Sequence, residues 1–119
     1  MIYSDIGELM MNRSATFAFA LIALAASPAL AEDAPVEWTL KGANFDPPVL
    51  TVAAKGTFTL KFTNTNAVAG ELECKGLKIE KPVVAGGTIM VRVLNPKPGT
   101  YDCVDEPHED VAKGQIVIK

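Results

Sequence analysis

The stretch Thr57-Phe58-Thr59-Leu60-Lys61-Phe62-Thr63-Asn64 decides the fold class. Phe58, Leu60 and Phe62 alternate with Thr59, Lys61 and Thr63, so an extended backbone puts all three large apolar side chains on one face. A helix would scatter the same residues around its circumference. Upstream, Val36, Trp38 and Leu40 alternate in the same way with Glu37, Thr39 and Lys41. Gly42-Ala43-Asn44-Phe45-Asp46-Pro47-Pro48 then reads as a turn-rich link with Phe45 as its apolar plug, before a second strand over Val49–Ala53. Downstream, Thr65–Gly70 is a loop, and Glu71-Leu72-Glu73-Cys74 is a short strand that points its two acids one way and Leu72 and Cys74 the other. Leu77 and Ile79 alternate with Lys78 and Glu80 as far as Pro82, and Ala85-Gly86-Gly87 turns the chain into a strand over Thr88–Leu94. Asn95-Pro96-Lys97-Pro98-Gly99 stops that strand, and Gln115–Lys119 closes the chain with another. No segment after Ala31 holds a 3.6-residue period over three turns. Seven or eight short strands with turn chemistry between them predict an all-β sandwich or barrel, with Trp38, Phe45, Phe58, Leu60 and Phe62 in its core.

The N-terminus has a different character. Asn12-Arg13 precedes an apolar run, Ala15–Ala26, and Ala29-Leu30-Ala31 supplies the small-x-small pattern of a cleavage site. Residues 1–31 are expected to be a secretory signal peptide. The run falls short of the roughly 20 residues that span a bilayer, so no membrane insertion is expected after cleavage. Asp5 and Glu8 do not suit a signal's positive start, which makes Met10 or Met11 the better initiation point. Residues 32–119 then form one domain.

The full chain carries 11 Lys and Arg against 14 Asp and Glu, a formal net charge of −3. Its lysines are scattered and form no basic stripe, which excludes nucleic acid as a partner. Export predicts an oxidising compartment, where two cysteines favour a disulfide.

The chemistry concentrates in Tyr101-Asp102-Cys103-Val104-Asp105-Glu106-Pro107-His108-Glu109-Asp110, read as a loop slung between two late strands. It holds the chain's only histidine and one of its two cysteines. Glu71, Glu73, Glu80, Asp105 and His108 are hard or borderline donors that suit divalent iron, manganese, zinc or copper. Anionic oxygen also favours the ferric over the ferrous ion. A blue-copper site needs two histidines, a thiolate and usually an axial methionine. Cys103 and His108 have an acceptable spacing for its late half, yet no second histidine exists and Ala112 and Lys113 stand where methionine would be. Acids in loops are more commonly solvated charges, and a lone histidine is more commonly a surface residue.

Read in order, Asn44-Phe45-x-Pro47-x-x-Leu50-x-Val52-x-x-x-Gly56, a strand ending in Asn64, Glu71-Leu72-Glu73, Pro98-Gly99-Thr100-Tyr101 and His108-x-x-x-Ala112-x-Gly114-x-Ile116-x-Ile118 resemble the cupredoxin-like domains of the EfeO type, periplasmic proteins that accompany high-affinity iron permeases. The resemblance covers 36–119. It implies a Greek-key β-sandwich of the cupredoxin type with a metal site at one end, fed by the Glu71 region and the segment after Tyr101. It implies an iron or copper ion as cofactor, with Glu71, Glu73, Glu80, Asp105, His108 and Cys103 as candidate ligands. An inner-membrane iron permease or another periplasmic protein is the implied partner, with Fe²⁺ bound and, on one reading, oxidised. It also brings Cys74 and Cys103 to neighbouring sites, so Cys103 has two readings: a thiolate ligand beside His108, or half of a Cys74–Cys103 disulfide. Tyr101 resembles a tyrosine corner, its hydroxyl bonded to backbone. Two other functions stand beside iron uptake. One is a copper carrier or chaperone using Cys103 and His108, and the other is a docking module without metal.

Overall fold

The computed structural model describes residues 33–119, so the signal peptide expected at 1–31 lies outside the described residues. Eight strands follow one another: β1 Val36–Lys41, β2 Asn44–Val52, β3 Phe58–Asn64, β4 Gly70–Cys74, β5 Ile79–Val83, β6 Thr88–Val93, β7 Gly99–Asp105 and β8 Lys113–Ile118. Single 3-10 turns at Lys75–Leu77 and Glu106–His108 are the other regular elements among the described residues. None of the described helices is long and apolar enough to cross a membrane. The all-β fold read from the alternating stretches is the one observed.

The strands form one sheet in the order β5-β4-β7-β8-β2-β1-β3-β6, folded over on itself. The continuity comes from β2. Its first residues pair with β1, Leu40 facing Phe45, while Val49–Val52 pair in parallel with Gln115–Ile118 of β8. The register shifts between Asn44 and Val49, across Asp46-Pro47-Pro48. Proline lacks an N–H to give to a ladder, so Pro47-Pro48 sits where pairing with β1 ends and pairing with β8, begun at Asn44 opposite Lys113, is interrupted. The segment Gly42–Pro48, expected as a link, is therefore mostly strand.

Trp38, Leu40, Leu60, Phe62, Leu72, Ile116 and Ile118 are at most 1 % exposed and form the centre of the core. Trp38, Phe45 and Phe62 pack with ring centroids 4.7 to 6.0 Å apart, and the indole N–H donates to the Pro47 carbonyl at 2.7 Å. A Cβ on Gly114 would lie 2.7 Å from Phe45 and 2.9 Å from Trp38. The last strand can press against this cluster only because glycine stands there. Phe58, expected in the core, is half-buried at its margin.

β7 corrects a second expectation. Tyr101–Asp105, taken as loop, is strand paired antiparallel to β8, from Gly99 against Ile118 to Val104 against Lys113. The Tyr101 hydroxyl donates to the Lys97 carbonyl at 2.6 Å, as a tyrosine corner would, although its ring is half-buried rather than buried.

Candidate metal centre

Two strands carry the candidate residues, and they meet side by side. β4 pairs with β7 through Leu72 opposite Asp105 and Glu73 opposite Val104. The next opposed pair is Cys74 and Cys103, joined as a disulfide with Cα atoms 4.2 Å apart. Both cysteines are at most 1 % exposed. This removes Cys103 from the ligand set: its sulfur is bonded to Cys74 and has no thiolate to offer. The copper-carrier reading loses Cys103 as a ligand.

Period two then places Asp105 on the same inward face as Cys103. Asp105 is 3 % exposed, and both its oxygens are engaged. Oδ1 accepts the backbone N–H of Glu71 at 2.9 Å, and Oδ2 lies 3.0 Å from Nδ1 of His108. The approach of β4 depends on Gly70, whose Cβ would stand 2.6 Å from Oδ1. An ionised carboxylate only accepts, so Nδ1 of a neutral His108 carries the proton and Nε2 is the lone-pair nitrogen. The ring is half-exposed, and Nε2 has no hydrogen-bond partner among the described residues. Backbone bonds from Val111 and Ala112 to the His108 carbonyl, and from Asp105 to the Ala112 carbonyl, hold the turn that carries it.

Beside His108, a cavity of about 170 Å³ is lined by Gly42, Ala43, Asn66, Val68 and Val111. Two asparagines to which the sequence reading gave no role hold the segments around it, Asn66 at its wall and Asn64 behind. Asn64, fully buried, donates to the carbonyls of Val68, Val83 and Val84, while its own oxygen accepts the N–H of Asn66. Asn66 in turn bonds both the N–H and the carbonyl of Gly42. Asn64 ends an alternating strand at an inward position. A polar residue at the core phase of an otherwise apolar face was the signal for this role.

The remaining acids lie on the outer face. Glu73 is directly opposite Glu80 across the β4–β5 ladder, and Glu71 is one diagonal step away. The Glu71 carboxyl is pushed above the usual range, first by partial desolvation, then by the like charges of Glu80, Glu106 and Glu73, and finally by a hydrogen bond with Glu80. In the folded state Glu71 therefore holds a proton at a pH where the unfolded chain has lost it. Its contribution to stability is fully present below the unfolded value and is lost as pH rises through the folded one. Carboxyl NMR should give Glu71 a midpoint above that of an ordinary glutamate, and Glu80→Gln should lower it part of the way. A midpoint at or below the ordinary value would remove the repulsive ladder from the account.

The candidates thus fall into two sets: Asp105 with His108 at the inner end of β7, and Glu71, Glu73 and Glu80 on the outer face of β4 and β5. Among the described residues no group of three or more His, Cys, Asp or Glu closes around one point. A blue-copper centre does not fit these residues, because one histidine and a spent pair of cysteines cannot make the two-imidazole, one-thiolate set.

Comparison with known proteins supports the fold from outside. No curated protein matches the chain. Among solved structures, the Cu(I) form of a methionine-to-alanine mutant of amicyanin aligns with a TM-score of 0.58 at 19 % identity, over 75 % of this chain and 86 % of that one. The metal-binding domain of CopA, the Cu(I)-exporting P-type ATPase of Streptococcus pneumoniae, solved with Cu(I), aligns with a TM-score of 0.62 at 10 % identity, over 71 % and 84 %. At these identities the likeness establishes architecture alone. Residues 14–118 match the cupredoxin-like domain family. With the folded-over eight-stranded sheet and its late strand–turn–strand unit around His108, that match makes this chain a member of the cupredoxin-like domain family.

Proposed function

We propose that this protein binds a divalent metal ion in the periplasm and serves iron uptake, holding Fe²⁺ for a membrane permease rather than passing electrons through a resident blue copper. The observation that carries this reading is the Asp105–His108 pair. A metal-binding imidazole commonly donates its other ring N–H to a carboxylate, which fixes the tautomer and raises the donor's basicity. Here Asp105 lies 3.0 Å from Nδ1, and Nε2 is left as the donor on a half-exposed ring. The outer acids support the same reading. The Glu71 carboxyl is raised first by desolvation and then by the like charges beside it, and a cation relieves that repulsion. Carboxylate oxygen favours iron over Cu⁺, and the ordered motifs that resemble EfeO-type domains point to iron. An open set of one imidazole and exposed carboxylates suits loading and release.

Titration calorimetry with Mn²⁺ or Cu²⁺, and with Fe²⁺ under anaerobic conditions, tests this. His108→Ala and Glu71→Gln are each expected to weaken binding about tenfold or more. Glu37→Gln, on the first strand, should leave it unchanged. Because Glu71 and His108 stand in separate sets, the losses in the double variant should add. Wild-type affinity in both single variants would reject the site and leave the docking-module reading in its place.

A further inference from the structure

We propose a second site, independent of metal: a cleft beside the free edge of β6 that binds an extended, acidic segment of a partner protein. β5 and β6 are the two ends of the sheet order, and each is paired on one side only, β5 with β4 and β6 with β3. They are joined by a turn, in which Gly87 N–H donates to the Val84 carbonyl, and not by a backbone ladder. A free edge is normally blunted by proline or by charge at a core-facing position. β5 has both. Pro82 has no N–H to offer, and Lys81 shares the phase of buried Ile79 and Val83 yet is exposed. β6 has neither proline nor glycine, buries Val91 and Val93, and keeps unbroken register with Phe58–Thr63 of β3.

Where β6 ends, a cleft of about 670 Å³ is lined by Leu77 and Lys78, by Arg92, Leu94 and Lys97, and by Tyr101. That volume lies within the usual range for ligand clefts, about 300–1,000 Å³. None of its three cations is within ion-pair distance of a carboxylate among the described residues. The backbone around them is fixed: Lys78 closes the 3-10 turn by donating to the Lys75 carbonyl, and Tyr101 holds the Lys97 carbonyl. Leu94 is 69 % exposed, a large apolar side chain between charges.

These features choose among occupants. A small anion would use the cations and leave both leucines and the strand edge unused. An extended peptide uses all three: its backbone pairs with β6, and its side chains alternate between carboxylates for Lys78, Arg92 and Lys97 and apolar groups for Leu77 and Leu94.

Fluorescence anisotropy with the protein and a short labelled peptide of alternating Glu and Val tests the assignment. The peptide is expected to bind, more weakly as salt is raised. The same peptide with Lys for Glu should not bind, and an N-methylated Glu–Val peptide, which keeps the charge and loses the backbone donors, should bind at least about tenfold more weakly. Lys78→Gln with Arg92→Gln should also cost about tenfold or more, with the unfolding midpoint and divalent-metal affinity unchanged. Absence of binding, equal binding of the Lys peptide, equal binding of the N-methylated peptide, or full displacement by inorganic phosphate would each overturn it. So would a salt-sensitive dimer that blocks the peptide, because the occupant would then be a second copy of the chain.

Discussion

Protein with both Cys74 and Cys103 replaced by alanine is expected to unfold with about 3–4 kcal/mol less free energy than the oxidised protein. The bridge spans a sequence separation of 29 residues, and closing a loop of that length in the unfolded chain removes entropy of this size. Two features push toward the upper end. Both sulfurs are buried, so alanine also leaves unfilled space. The β4–β7 ladder itself has only two register pairs, Leu72 with Asp105 and Glu73 with Val104, and the disulfide occupies the next position. It therefore stands in for pairing that the strands do not otherwise make. Urea unfolding followed by the fluorescence of Trp38, the single and buried tryptophan, measures the loss. A loss under about 1 kcal/mol would show that the chain-entropy account fails for this bridge. Reductant under native conditions should act slowly, because neither sulfur is open to solvent.

The second large effect belongs to Asp105. Asp105→Ala deletes two hydrogen bonds to a buried carboxylate and leaves the Glu71 N–H without its acceptor. Bonds to charged groups and orphaned donors of this kind give an expected destabilisation of about 2–3 kcal/mol. Asp105→Asn separates two roles. Its amide oxygen can still accept from Glu71, so most of the stability should return. Its NH₂ would face Nδ1 of His108 and favour the opposite tautomer, with the proton on Nε2. Imidazole ¹⁵N shifts read this directly. Wild-type Asp105 should give protonated Nδ1, and Asn should move the proton to Nε2 and weaken divalent-metal binding with the fold intact. Identical ¹⁵N shifts in the two proteins would limit Asp105 to holding β4 against β7.

Seen from the side of the sequence, the strands were the accessible part. Phe58-x-Leu60-x-Phe62 and Trp38-x-Leu40 declare their buried faces because strand periodicity is a property of residues two apart. The path through Asp46-Pro47-Pro48 was not accessible in that way. A proline pair looks the same in a loop as in an interrupted strand, and only the partners on either side, β1 and β8, distinguish them.

The same division runs through the candidate centre. Cysteine parity and export chemistry favoured the disulfide, and the resemblance brought Cys74 beside Cys103; the bond is present. Residue types also marked Glu71 and His108 as donors, since imidazole and carboxylate chemistry is written in the side chain itself. What residue types could not state was which donors face one another. Reading Tyr101–Asp110 as a loop hid the alternation that puts Asp105 inward with Cys103. Once β7 is a strand, Asp105 becomes the buried partner of His108, while Glu73 and Glu80 turn to the opposite face. By itself the sequence determined that the chain is all-β and that Trp38, Leu40, Leu60 and Phe62 lie on buried strand faces. Tertiary structure alone decided that buried Asp105 faces His108 and that β6 keeps a free edge. Both depend on the packing of segments far apart in the chain, which no local pattern encodes.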